Sequence, residues 1–90
     1  MQRVVKILLV EDDQLDQIEV KRTLEKKSIL YLLKIAANGE EALKVLNGDT
    51  AEPYSGKPDI ILVDLNMPKM NGFEFLKKIK NNEGWRDIKV

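Results

Sequence analysis

Two stretches of the chain, "ILLVEDD" at 7–13 and "IILVDLNMP" at 60–68, run apolar and then stop on carboxylates. Glu11, Asp12 and Asp13 end the first run, and Asp64 ends the second. If both runs are neighbouring strands of one parallel sheet, about 4.8 Å apart, then Glu11, Asp12 and Asp64 converge at its rim. Carboxylates so placed repel one another and favour their protonated forms, a cost that a divalent cation reverses. The chain has no His and no Cys, so its ligands are oxygens, and oxygen-only ligation points to Mg2+. The missing histidine removes the usual general base, the usual zinc ligand and any phosphohistidine of the chain's own. It does not remove phosphoryl chemistry, because an ionised aspartate attacks phosphorus without a base.

The elements that must hold these acids are legible in outline. Ninety residues bound the chain to one domain with one modest core. Val4 to Val10 is β-branched and almost continuously apolar, as expected of a strand covered on both faces of a parallel sheet. From Gln14 to Lys27 there is no Gly or Pro, and Asp13 is placed to cap a helix. Its apolar positions, Leu15, Ile18, Val20 and Leu24, do not make one clean stripe, so its buried face stays open. Tyr31 to Ala37 reads as a second strand, and Asn38 with Glu41 three residues on resembles a capping box for the helix "GEEALKVL". Asn47 to Pro58 is loop. Asp59 to Asp64 is a third strand. Asn71 with Glu74 caps a helix running to about Asn82, with Phe73, Leu76 and Ile79 expected in the core. Asp87 to Val90 opens a fourth strand. Strand and helix alternate, so the sheet is expected to be parallel, with right-handed crossovers and a ligand site outside the carboxyl ends of its strands.

Composition narrows the partners. Lys plus Arg and Asp plus Glu number 15 each, so no global field draws in nucleic acid or an anionic membrane. The local imbalance is acidic: Glu11, Asp12, Asp13 and Asp16. Absent cysteine excludes disulfides and thiolate metal sites. The first apolar run is too short, and too soon followed by acids, for a signal peptide or a membrane span. The expectation is a soluble cytoplasmic protein.

Taken in order and spacing, "KILLVEDD", "ANGEEAL" and "PDIILVDLNMPKMNGFEFLKKIK" resemble the receiver domain of two-component response regulators, of the stand-alone kind with a long loop before strand three. The motifs together cover essentially the whole chain. The resemblance implies a flavodoxin-like (βα)5 plan of strand order 2-1-3-4-5, with Asp64 accepting a phosphoryl group from the phosphohistidine of a histidine kinase or phosphotransfer protein. It implies Asp12 as a direct Mg2+ ligand, Glu11 as a ligand through water, and Asn66 contributing its backbone carbonyl. Met67, Pro68 and Gly72 match the loop that shapes that site. The family's Ser or Thr at the end of strand four and Lys at the end of strand five have no counterpart here. Lys89 lies too early in the fourth strand and Lys69 lies in the loop after strand three. The sequence thus matches a receiver that stops within strand four, without the α4-β5-α5 portion. For such a chain the expectation is partial metal affinity, slow or absent phosphorylation, no switching, and a sheet edge open to pairing with a second copy or a supplied fragment.

Rival readings are weaker or blander. An EF-hand loop from Asp64 fails at its fifth and sixth positions, which hold Pro68 and Lys69. A haloacid-dehalogenase-like phosphatase also uses a strand-end Asp but wants a second Asp two residues on, where this chain has Asn66. A third alternative is a receiver fragment that serves only as a structural or self-assembling module. Asp13, Asn38 and Asn71 read as helix caps, and Trp85 as a side chain packed on the end of the third helix, remote from the acids.

Overall fold

The computed structural model describes residues 3–27, 29–48, 57–63 and 72–90. In chain order these form β1 (Val4–Val10), α1 (Gln14–Glu25), β2 (Leu30–Ala36), α2 (Gly39–Leu46), β3 (Ile60–Val63) and α3 (Gly72–Lys80). The strands make one sheet of order β2-β1-β3 with both pairings parallel, which is the first part of the 2-1-3-4-5 order expected. All of β1 pairs with β2, from Val4 with Leu30 to Val10 with Ala36. Only its carboxyl half, Ile7 to Val10, pairs with β3. Beyond β3 an isolated parallel bridge joins Ile60 to Lys89, where the sequence anticipates strand four.

Burial follows the pleat. Side chains alternate across a strand, and Leu8, Val10, Ala36 and Ile61 share one face of the sheet with Ala42, Val45 and Leu46 of α2 and Phe75 and Ile79 of α3. Ile88 joins this cluster, and Trp85 packs against it. Each large side chain buried here contributes roughly 1.5–3 kcal/mol of transfer free energy. Ile7 and Leu9 are buried on the opposite face, where Val20, Thr23 and Leu24 of α1 meet Leu62 around a hollow of about 320 Å³. From Ile7 to Val10 the central strand is therefore covered on both sides, which explains the apolarity of that half, while Val4 and Lys6 are exposed.

Each helix end has an identifiable cause. The Asp13 side chain accepts from the N–H groups of Leu15 and Asp16, at 2.8 and 3.2 Å, and Asn38 accepts from Glu41 N–H at 2.9 Å. Both satisfy orphan donors of a first turn. The Asn38–Glu41 pair departs from the expected capping box in one respect: the Glu41 carboxylate takes the N–H of Ala37, one residue before the cap. α2 ends where Gly48 enters the left-handed region at φ 80° and donates its N–H to the Val45 carbonyl at 3.0 Å, a conformation that favours glycine.

The third helix corrects the sequence reading. Phe73 is exposed, Leu76 is half-buried, and the core positions are Phe75 and Ile79. A four-residue step keeps 75 and 79 on one side at 3.6 residues per turn, and the three-residue series from Phe73 drifts off it. α3 ends at Lys80 and α1 at Glu25, each two residues earlier than expected. The expected Asn71 cap lies outside the described residues.

Candidate functional site

Val10 is the register partner of Ala36 on one side and Val63 on the other. All three strands thus deliver their chains to a common carboxyl rim. Glu11 adds one further rung: its N–H donates to the Ala36 carbonyl at 2.9 Å, so the residue after β1 is still held in line with the sheet. Its side chain is buried, at 8% exposure. Oε2 accepts from Asp13 N–H at 3.1 Å, which folds the carboxylate back over the turn that carries Asp12. A buried carboxylate is costly unless donors or a cation offset it.

Asp12 is exposed at the rim, and among the described residues none hydrogen-bonds to its side chain. Asp13 is committed elsewhere, because its Oδ1 caps α1. The three consecutive acids are therefore separated by role: Glu11 is inward, Asp12 is open to solvent and Asp13 is structural. The loop itself is tied to α1 by Gln17, whose Nε2 donates to the Glu11 carbonyl at 2.8 Å. Gln17 was not singled out by its sequence. A polar helix residue six positions after the acid it serves gives no signal until the turn between them is seen.

Of the site residues expected from the sequence, Glu11 and Asp12 stand together at the end of β1. Asp64 and Asn66, with Met67 and Pro68, lie outside the described residues, and Gly72 opens α3. Val63, to which Asp64 is directly bonded, is the last described residue of β3. Among the described residues no group of three His, Cys, Asp or Glu side chains gathers as a metal site. Glu11 and Asp12 supply two carboxylates, and the donor set is all oxygen. That chemistry fits a hard divalent cation and does not fit a thiophilic metal.

No helix among the described residues is long and apolar enough to cross a membrane. The amino end of the sheet, opposite the acids, is closed by Asp59. Its Oδ2 accepts from Lys6 N–H at 2.8 Å, its own N–H donates to the Lys6 carbonyl, and its Oδ1 pairs with Arg3.

Comparison with known proteins agrees with this geometry. The family model for the response regulator receiver domain matches residues 7–90. Response regulator Rcp1 of Synechocystis sp. is 38% identical over 84 residues, spanning 93% of this chain and 57% of Rcp1. The phosphorylated cyanobacterial phytochrome response regulator RcpA superposes with a TM-score of 0.84 at 31% identity, over 96% of this chain and 61% of that one. The Mn2+-bound form of Rcp1 superposes with a TM-score of 0.83 at 37% identity, over 93% and 60%. The chain thus spans less than two thirds of each of these relatives. With its order of strands, its acid pair at the rim and a match over nearly all its length, the chain belongs to the response regulator receiver domain family.

Proposed function

We propose that the chain acts as the phosphoacceptor module of a two-component phosphorelay, receiving a phosphoryl group on Asp64 from the phosphohistidine of a histidine kinase or phosphotransfer protein. One observation carries this reading: Val10, which precedes the acid pair, and Val63, to which Asp64 is bonded, are register partners in adjacent parallel strands. In the transfer, a carboxylate oxygen of Asp64 forms the new P–O bond as the P–N bond of the donor breaks. The departing imidazole keeps the electron pair of that bond.

Glu11 and Asp12, with Asp64 and the Asn66 carbonyl, would hold Mg2+. When bound, the cation neutralises charge on the acids and on the phosphoryl oxygens. The chain's own residues supply the rest. The β1–β3 register sets Val63 beside Val10, Glu11 is held inward by Asp13 N–H, and Asp12 is left open to solvent. That Rcp1 has been seen in a Mn2+-bound form, and RcpA phosphorylated, supports the same two capacities here. Apart from self-catalysed transfer and hydrolysis, we assign no enzymatic activity to the module. A cytoplasmic location suits this role, since histidine kinases present their phosphohistidine there.

The test is incubation with acetyl phosphate, with and without Mg2+, followed by intact-mass and peptide mapping. The expected result is slow, Mg2+-dependent addition of one phosphoryl group at Asp64, abolished in Asp64→Asn. Equal labelling of Asp64→Asn refutes the assignment.

A further inference from the structure

The amino-terminal part of α1 is held to the body by polar rather than apolar contacts. Leu15 is 73% and Ile18 44% exposed, and Leu24, at the far end of the helix, is its one buried side chain. What ties the first turns down is a chain of hydrogen bonds through the acidic turn. The Asp13 carboxylate caps Leu15 and Asp16, Asp13 N–H meets Glu11 Oε2, and Gln17 Nε2 reaches the Glu11 carbonyl at 2.8 Å. Gln17 alone among these uses a helix side chain to fix the backbone of the acid pair. The peptide it grips joins Glu11 to Asp12, so its carbonyl sets the direction in which the Asp12 backbone departs.

We infer that Gln17 is a positioning residue for the divalent-cation site. By holding the Glu11–Asp12 peptide in one orientation, it presents both carboxylates to the ion before the ion arrives. The inference rests on the reading of Glu11 and Asp12 as metal ligands. Its physical content is preorganisation. Where the acid turn must be reordered at binding, apparent affinity falls by the fraction of molecules already competent. A neutral hydrogen bond of ordinary strength corresponds to a change of about five-fold.

The experiment uses the ninety-residue chain with Mn2+ as the probe, its free concentration read by electron paramagnetic resonance. All variants are compared at a temperature where circular dichroism shows them folded. Gln17→Met keeps the length and stem of the side chain and removes the donor. Leu24→Val weakens the packing of the same helix without touching the acid turn. Expected are Mn2+ binding about five-fold weaker in Gln17→Met, unchanged binding in Leu24→Val, and a shifted Asp12 amide resonance in metal-free Gln17→Met. The resonance requires no metal, and a role confined to helix stability would leave it in place. Equal loss of affinity in both variants overturns the inference, as does unchanged affinity in Gln17→Met. If the unsubstituted chain binds no Mn2+, the metal-ligand reading itself fails, and the two failures are thereby told apart.

Discussion

Replacing Asp12 by Ala separates the cost of crowding acids from the gain of binding a cation. Asp12 is exposed, with no hydrogen bond to its side chain among the described residues, so truncation removes no packing and leaves no polar group stranded. It does remove a negative charge adjacent to the buried Glu11 carboxylate. The metal-free variant is therefore expected to melt at the same temperature as the parent, or a few degrees higher. For the parent, Mg2+ at ten times its dissociation constant stabilises by RT ln 11, about 1.4 kcal/mol. A chain of this length loses about 0.19 kcal/mol of stability per degree near its midpoint, so the expected rise in Tm is about 7 °C. In Asp12→Ala that rise should fall within error of zero. The assay is a pair of thermal melts, with and without MgCl2, at matched ionic strength set by KCl. Matching is needed because salt alone screens the repulsion between acids. A Mg2+-induced rise kept in the variant would refute Asp12 as a ligand. A metal-free midpoint lower by more than about 3 °C, at ~0.19 kcal/mol per degree, would show a structural role not evident from its surroundings.

Three further substitutions test the acid turn and the opposite end of the sheet. Asp13→Ala strips α1 of both cap bonds and should cost about 1 kcal/mol, or about 5 °C by melting, with the Mg2+-induced rise retained. Loss of that rise would make Asp13 a ligand rather than a cap. Asp59→Ala removes the acceptor for Lys6 N–H and the partner of Arg3, and should lower the urea midpoint by about 1 M. Arg3→Ala, which leaves the Lys6 bond intact and affects a side chain 76% exposed, should cost under about 0.5 kcal/mol. Equal effects from the two would place the strength in the ion pair.

The order of elements and the location of Glu11 and Asp12 at the end of β1 were legible because they rest on local signals. Val4–Val10 and Ile60–Val63 are apolar runs that stop on acids, and Asp13 and Asn38 have the side chains that first turns need. The face of α1 was not legible, and the structure gives the reason. A helix with one buried residue, Leu24, leaves little apolar periodicity to read. Phe73 was misplaced because a three-residue step and a four-residue step both fit "GFEFLKKI", and only the position of α3 against Ile61 and Val45 selects Phe75 and Ile79. Gln17 was missed for a third reason: its partner is a backbone carbonyl, and a carbonyl carries no signature in sequence.

The unequal ladders on the two sides of β1 bear on how the chain acquires its shape. Seven residue pairs join β1 to β2, across a connection about half as long as the one that precedes the four pairs with β3. Each doubling of a closed loop costs about 0.6 kcal/mol in chain entropy, so the shorter circuit is both cheaper to close and rewarded by more rungs. Assembly is therefore biased towards a β1–α1–β2 half that forms early and offers its free edge as a template for β3. The carboxyl end of that later strand, Val63, is then set beside Val10 late in folding, after the β1–β2 rungs are in place.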